Sequence, residues 1–308
     1  MSTRRQSYRR KNDKKSKLYL IIGTVIALVV LLGKLGVIDL DEPASTPTQT
    51  YTEGSATVHF LDVGQGDCGL IVADNGMTML IDASEREYGA RVVSYLRSNG
   101  ITKLDYIVAS HPHSDHIGGL VDVINSEIEV GTVIIPSVPE EHTPTTRVYE
   151  DFLYAIAYKG CNLAFAKSET IQFGEGEITI IPTNYTDDNY NNYSSFVRYE
   201  YQGCSFIFSG DAEKSVEKEL VSKGVIPETT VLKAPHHGSS TSSSYEYLGA
   251  VSPEYIVISC GAGNSYGHPH DEIVKRYEAY TENIYRTDTM GNIIFTVENG
   301  NMTVSTEK

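Results

Sequence analysis

Cysteine is scarce in this chain. Only Cys68, Cys161, Cys204 and Cys260 occur in 308 residues, scattered without a C-x-x-C pair. Paired-thiolate metal binding is therefore not indicated, and Cys204 and Cys260, set in strand-like apolar runs, read as small buried hydrophobes. An oxidising location would permit disulfides in any of three full pairings. No cysteine lies near the end of the single long apolar run, residues 18–38, which argues against a lipoprotein. Basic residues are short as well: 25 Lys and Arg face 40 Asp and Glu, for a net charge of −15. Residues 1–17 hold eight of those cations and one aspartate, a local +7 that leaves −22 on the remainder. So acidic a remainder excludes binding of polyanions by a general basic surface. A second long hydrophobic run is missing too, so these residues contain no multi-pass pore. The G-x-G of Gly261-Ala262-Gly263 has no P-loop lysine and is a weak phosphate signal.

What is present begins with an anchor pattern. Residues 18–32 carry no charge, and residues 33–38 extend the apolar character around Lys34. As a helix, the 21 residues 18–38 would span about 30 Å, a bilayer core, with Lys34 snorkelling to the interface. The run exceeds a typical signal-peptide core, and no small-x-small site follows before Asp39. A single-pass anchor is therefore expected in preference to a cleaved signal. The positive-inside rule puts the basic tail, residues 1–17, in the cytoplasm and the rest outside, at the cell membrane. Residues 39–56, rich in Pro, Thr and acid, read as an extracellular tether. Residues 57–308 read as one domain with chain enough for a sizeable core.

Strand patterns at 57–63, 69–73 and 77–81, the last two joined by Asp74-Asn75-Gly76, precede a helical pattern at 85–99. Strand, helix and strand in succession indicate a layered α/β domain. A buried strand at 104–109 then delivers His111-Pro112-His113-Ser114-Asp115-His116-Ile117-Gly118-Gly119. Three imidazoles and a carboxylate this close cannot share one face of a strand or helix, so they must splay from a loop. His111 and His113 aim one way, Asp115 and His116 another. This suits two adjacent cations, each needing nitrogen or oxygen ligands and a position open to water. Helical patterns follow at 117–124 and 147–159, and strands at 131–136, within 162–182, at 255–260, 284–286 and 291–297. His142, in a proline-flanked loop, reads as a solvent-facing residue. A hairpin at 195–209 delivers Gly210-Asp211-Ala212. A carboxylate can bridge two cations, and a glycine before it lets the backbone come close. The strand at 230–233 leads to Ala234-Pro235-His236-His237-Gly238; on an extended chain adjacent histidines point to opposite sides.

The run Ser110 to Leu120 has the motif Leu61-Asp62-Val63-Gly64-Gln65-Gly66-Asp67 before it and Gly210-Asp211-Ala212, the His236-His237 pair and Asn264 to His270 after it. Together they resemble the metallo-β-lactamase superfamily and, within it, the extracellular hydrolase domain of ComEC-like DNA-uptake proteins, over about residues 57–297. The resemblance implies an α/β fold, the αββα sandwich of that superfamily, here preceded by one transmembrane helix. It also implies two divalent metal ions. His111, His113 and Asp211 are assigned to one, and Asp115, His116, Asp211 and His237 to the other. Asp82 is the strand-end brace of the metal loop. Asp115, His236 and His268 are the groups expected to face the reaction, His268 by hydrogen bonding a phosphoryl oxygen, while His270 caps a helix. Asp62 and Asp67 organise turns and are not ligands. Residues 191–194 resemble a stretch where many superfamily members supply a further histidine. None occurs here, which leaves the His111/His113 ion with two imidazoles, the shared carboxylate and solvent. The ligand types fit zinc, with manganese as the alternative.

The function expected from this pattern is a membrane-anchored, outward-facing hydrolase of phosphodiesters, with DNA as the substrate the resemblance implies. Two cations sharing a water lower its pKa towards neutrality and offset charge on the attacked centre. A smaller phosphate ester, from an envelope polymer or a nucleotide, is the alternative that the acidity favours. A non-catalytic DNA-binding accessory with a degenerate site is the alternative that the missing histidine favours.

Overall fold

Along β1 (Ser55–Phe60), Ala56, Val58 and Phe60 enter an apolar layer between two sheets, so Thr57 and His59 face the other side. A computed structural model describes residues 51–308. The basic tail, the anchor and most of the tether lie outside the described residues. No described helix is long and apolar enough to cross a membrane.

From β1 the chain runs antiparallel through β2 (Gly69–Val72) and β3 (Thr78–Ile81). It then runs parallel through β4 (Lys103–Val108), β5 (Glu129–Ile135) and β6 (Asn162–Phe165). A second sheet opens antiparallel with β7 (Glu169–Phe173), β8 (Gly176–Ile181), β9 (Phe196–Tyr201) and β10 (Cys204–Phe208). It continues parallel through β11 (Val231–Lys233), β12 (Tyr255–Ile258) and β13 (Ile284–Arg286). β14 (Ile293–Glu298) and β15 (Asn301–Thr306) return beside β1, completing sheets of eight and seven strands.

Parallel neighbours need crossovers, and helices supply them. Gly89–Ser98, Leu120–Asn125 and Arg147–Lys159 pack on the first sheet. Lys214–Ser222, Tyr245–Val251 and Asp271–Glu278 pack on the second. One apolar layer between the sheets and one beneath each set of helices give the expected sandwich. Arg147–Lys159 shows how sequence sets such a helix. The Thr146 hydroxyl accepts from Tyr149 N–H at its start, Gly160 ends it at φ 78°, and Tyr149, Phe152, Leu153 and Ile156 make its buried stripe.

Several expectations need correction. The helix expected over 117–124 is two short helices, Ser114–Ile117 and Leu120–Asn125. The Gly118-Gly119 step lies so close to the backbone at Ala83 that a Cβ on Gly119 would fall 2.1 Å from the Ala83 carbonyl oxygen. β15 was not expected, although Asn299-Gly300, both left-handed, is a hairpin signal. Of the cysteine pairings left open by the sequence none forms, since all four are free, with Cys204 and Cys260 buried as expected. His142 is half-buried and pairs through Nδ1 with Asp188 at 2.9 Å.

His59 carries a pH-dependent share of the stability. It is buried beneath the helix Gly89–Ser98, with Nδ1 2.7 Å from Tyr95 OH and Nε2 2.8 Å from Thr57 Oγ1. Burial lowers its pKa from 6.5 to about 4. Above pH 6.5 both folded and unfolded chains hold it neutral. As pH falls from 6.5 to about 4, only the unfolded chain takes up the proton, so stability is lost across that window. The loss reaches about 3 kcal/mol. His59→Gln should flatten the urea midpoint between pH 6.5 and pH 4 by a corresponding amount; an unchanged slope would contradict the assignment.

Candidate metal centre

The carboxyl ends of β3, β4, β10, β11 and β12 gather at one edge of the sandwich, where ligands bind in open α/β sheets. β3 ends in Asp82, β4 leads to His111 and His113, and the first turn of Ser114–Ile117 carries Asp115 and His116. Two of the four ligands expected to splay from one loop, Asp115 and His116, thus sit on a helix. β10 leads to Asp211, β11 to His236 and His237, and β12 to the loop bearing His268. Gly210 has φ 50°, and a Cβ there would lie 2.8 Å from Ser194 Oγ and 3.0 Å from the Ser110 side chain. The close approach expected of that glycine is what the fold uses.

Asp115, His116, Asp211 and His237 offer ligand atoms all within 4.8 Å of one another. Asp211 divides the site between its two oxygens. Oδ1 faces His116 Nε2 at 3.2 Å and His237 Nε2 at 3.5 Å; Oδ2 faces His236 Nε2 at 3.6 Å and His111 Nε2 at 3.9 Å. His113 Nδ1 stands 3.0 Å from His111 Nε2. His237 therefore sits with the Asp115/His116 cluster as expected, but His236 lies on the His111 side. The reason is backbone conformation: both residues are left-handed, at φ 50° and 54°, so the chain is not extended and both rings reach one carboxylate. Asp82 and Ser84 are left-handed too, and such strain in non-glycine residues collects at functional sites.

The surroundings aim the ligand atoms. Asp82 accepts from the Ser110 N–H at 2.8 Å, the Ser110 hydroxyl at 2.6 Å and His116 Nδ1–H at 2.8 Å, as a brace of the metal loop should. His237 Nδ1–H donates to the Ser259 carbonyl at 3.0 Å, with Asp67 Oδ1 at 3.2 Å. Each imidazole thereby turns Nε2 towards Asp211. His116 Nε2, His237 Nε2 and Asp211 Oδ1 are buried without a hydrogen-bond partner. Buried orphan donors and acceptors are costly, and a cation among them would satisfy all three. The residues present therefore fit a metal.

Electrostatics agree. Burial works against charge on His116 and His237, yet Asp211 with Asp82 at the first and Asp67 at the second outweighs it and holds both well above the usual histidine range. Burial opposes charge on Asp211 as well, and His237 and His116 overcome it, holding the carboxyl well below its usual range. Burial, reinforced at His111 by the charge of His116, keeps His111 and His113 below the usual range and so neutral. A cation on the Oδ1 side would replace protons, whereas on the Oδ2 side it meets free lone pairs.

Asn191 occupies the neighbourhood of the missing histidine. It lines the same cavity as His113, its Nδ2 donates to Glu213 Oε1 at 3.3 Å, and its Oδ1 is buried and unpaired. The cavity, of about 240 Å³, is also lined by Asp115, Asp211, His236, His237, Tyr266 and His268. His270 stands at the N-cap of Asp271–Glu278 as expected, and its Nδ1 accepts from Ser240 N–H at 2.8 Å.

Lys233 was missed. It is 2% exposed and its ammonium pairs with Asp67 Oδ2. Asp67 thus does more than shape a turn: it holds a buried cation on one oxygen and faces His237 with the other. Burial opposes its charge, but Lys233 and His237 bring its carboxyl below the usual range. An alternating strand pattern gives no sign of such a pair; a lysine ending an otherwise apolar strand was the only hint.

A model described as the metallo-β-lactamase superfamily matches residues 61–261. The chain is 28% identical over 265 residues to ComE operon protein 3 of Bacillus subtilis, across 79% of this chain and 33% of that protein. It is 30% identical over 288 residues to competence protein ComA of Neisseria gonorrhoeae, across 91% of this chain and 39% of that one. It therefore spans about a third to two fifths of the length of these curated relatives. Among solved structures, CmlA, a diiron β-hydroxylase from Streptomyces venezuelae, matches with a TM-score of 0.53 at 13% identity, over 88% of this chain and 59% of that one. At that identity the likeness concerns the fold alone.

Proposed function

Because this chain belongs to the metallo-β-lactamase superfamily, we propose that it is a two-metal phosphodiesterase acting on DNA. The observation that carries the reading is the set of orphaned ligand atoms on His116, His237 and Asp211, within 4.8 Å of one another and of Asp115. His111, His113 and Asp211 would hold one cation, with His236 beside them, and Asp115, His116, Asp211 and His237 the other. When bound, the cations, zinc or manganese, lower the pKa of water and offset negative charge at the attacked phosphorus.

The chain's own groups do the positioning. His268 is lowered to about 4 by burial and by the charges of His237 and His236. It is therefore neutral at pH 7, with an N–H for a phosphoryl oxygen. His236, fixed by a 2.9 Å contact between Nδ1 and Thr241 Oγ1, turns Nε2 to Asp211. Asp115, aimed at His237 Nε2 from 3.5 Å, is kept ionised despite burial by His116 and His237.

DNA as substrate rests on the resemblance of the motifs to ComEC-like DNA-uptake proteins, and one relative is named a competence protein. The net charge of −15 favours a second reading, a smaller phosphate ester. An anchored protein with this domain outside the cell is part of the proposal; its basis is the basic, then apolar, N-terminal sequence. The test is turnover by the full chain of single- and double-stranded DNA against bis-p-nitrophenyl phosphate and a nucleoside monophosphate. Faster cleavage of DNA is expected. Preference for the monoester would replace DNA with the smaller ester, and absence of any turnover with zinc or manganese would leave a binding accessory.

A further inference from the structure

Seven rings form one continuous row through the site. Tyr190 packs against His113 with ring centres 5.8 Å apart, His113 against His111 at 4.8 Å, and His111 against His116 at 4.1 Å. The row goes on from His116 to His237 at 5.3 Å, to His268 at 6.2 Å and to Tyr266 at 5.6 Å. The five imidazoles surround the carboxylates that fit metal, with Tyr190 packed beyond His113 and Tyr266 beyond His268.

Among the described residues Tyr158, Phe165 and Tyr245 are also exposed, but of these aromatics Tyr266 alone lines the site cavity. It is 64% exposed yet lies nearly parallel to His268, at 21°, and lines the same cavity as Asp115 and Asp211. Its loop is tied down by one side chain. Asn264 Oδ1 accepts from the Tyr266 N–H at 3.1 Å and the His268 N–H at 3.0 Å, and Asn264 Nδ2 donates to the Gly261 carbonyl at 2.9 Å and the His268 carbonyl at 2.5 Å. The loop is thereby fixed with the ring still largely exposed at the cavity. A fixed aromatic ring beside the site can stack on a flat partner.

Resting on the phosphodiesterase reading, we propose that Tyr266 is a stacking shelf for an unpaired nucleobase next to the phosphate held at the metal centre, with Tyr190 at the other end of the row. The charge balance limits how a strand could be held. With −22 beyond residue 17, this surface gains little from counterion release. A single strand must then be held by contacts that need no cation, and base–aromatic stacking is the contact every base offers. The substrate class this implies is single-stranded nucleic acid, or a frayed end, since paired bases do not present their faces.

The test uses the full chain loaded with zinc and a short single-stranded oligonucleotide containing 2-aminopurine, whose fluorescence is quenched on stacking. Wild type should quench it, Tyr266→Ala should raise the apparent Kd about tenfold, within the range of about 1–3 kcal/mol per stacked base, and Tyr266→Phe should restore the wild-type value. In parallel, the ratio of kcat/KM for the oligonucleotide to that for methyl p-nitrophenyl phosphate should fall about tenfold in Tyr266→Ala. Equal Kd and an equal ratio in wild type and Tyr266→Ala would overturn the shelf while leaving the hydrolase standing. If no diester is cleaved by any variant, the hydrolase reading fails instead, and the fluorescence arm alone decides the shelf.

Discussion

Asp211→Ala is expected to lose at least ~1000-fold in kcat/KM for any phosphodiester the protein cleaves, about 4 kcal/mol of barrier. Four imidazoles stand within 3.2 to 3.9 Å of its two oxygens, two on each. Removing the carboxylate takes a ligand from both proposed cations at once. It also removes the main counter-charge of His116 and His237. Asp211→Asn separates shape from charge: it should fold like wild type and still lose most of the rate. A variant retaining more than a tenth of wild-type turnover would show that Asp211 does not bridge.

Lys233→Met should cost stability more than any surface substitution, about 3–5 kcal/mol, because it leaves a buried carboxylate without its cation. The pair closes the floor behind the site, where Asp67, Lys233, Ser110 and Ser259 share a small cavity with Phe60 and Phe208. Repacking both partners, as in Lys233→Met with Asp67→Leu, should recover much of the loss, since an apolar pair carries no desolvation penalty. Metal affinity should not recover, because His237 Nδ1 then keeps only the Ser259 carbonyl to orient it. Urea midpoints of the metal-free chain and zinc affinities of the three proteins check both statements. An unaltered midpoint in Lys233→Met would mean the pair contributes nothing.

Much of this site was legible because its chemistry is local. His111, His113, Asp115 and His116 fall within six residues, so no folding knowledge is needed to bring them together. Asp82 and Asp211 were legible only beside the metal loop and by resemblance, since an aspartate at a strand end otherwise reads as a cap or turn residue. The relation of His236 to His237 was not legible. It depends on two consecutive left-handed residues, and nothing in Pro-His-His-Gly announces them. The Lys233–Asp67 pair joins positions 166 residues apart that each have a bland local reading. In the fold, β15 was missed for want of weight on Asn299-Gly300. The 117–124 helix was joined across Gly118-Gly119 because apolar spacing continues through a break that sterics impose.

The most direct measurement is the metal content of the full chain, by elemental analysis after zinc loading and exhaustive desalting, beside that of Asp211→Ala. Two zinc ions per chain, with both weakened in the variant, are predicted: the orphaned atoms of His116, His237 and Asp211 call for one ion, and His111, His113 and the second oxygen of Asp211 for the other. A chain that retains no zinc, or binds it equally well without Asp211, contradicts the two-metal centre and with it the hydrolase.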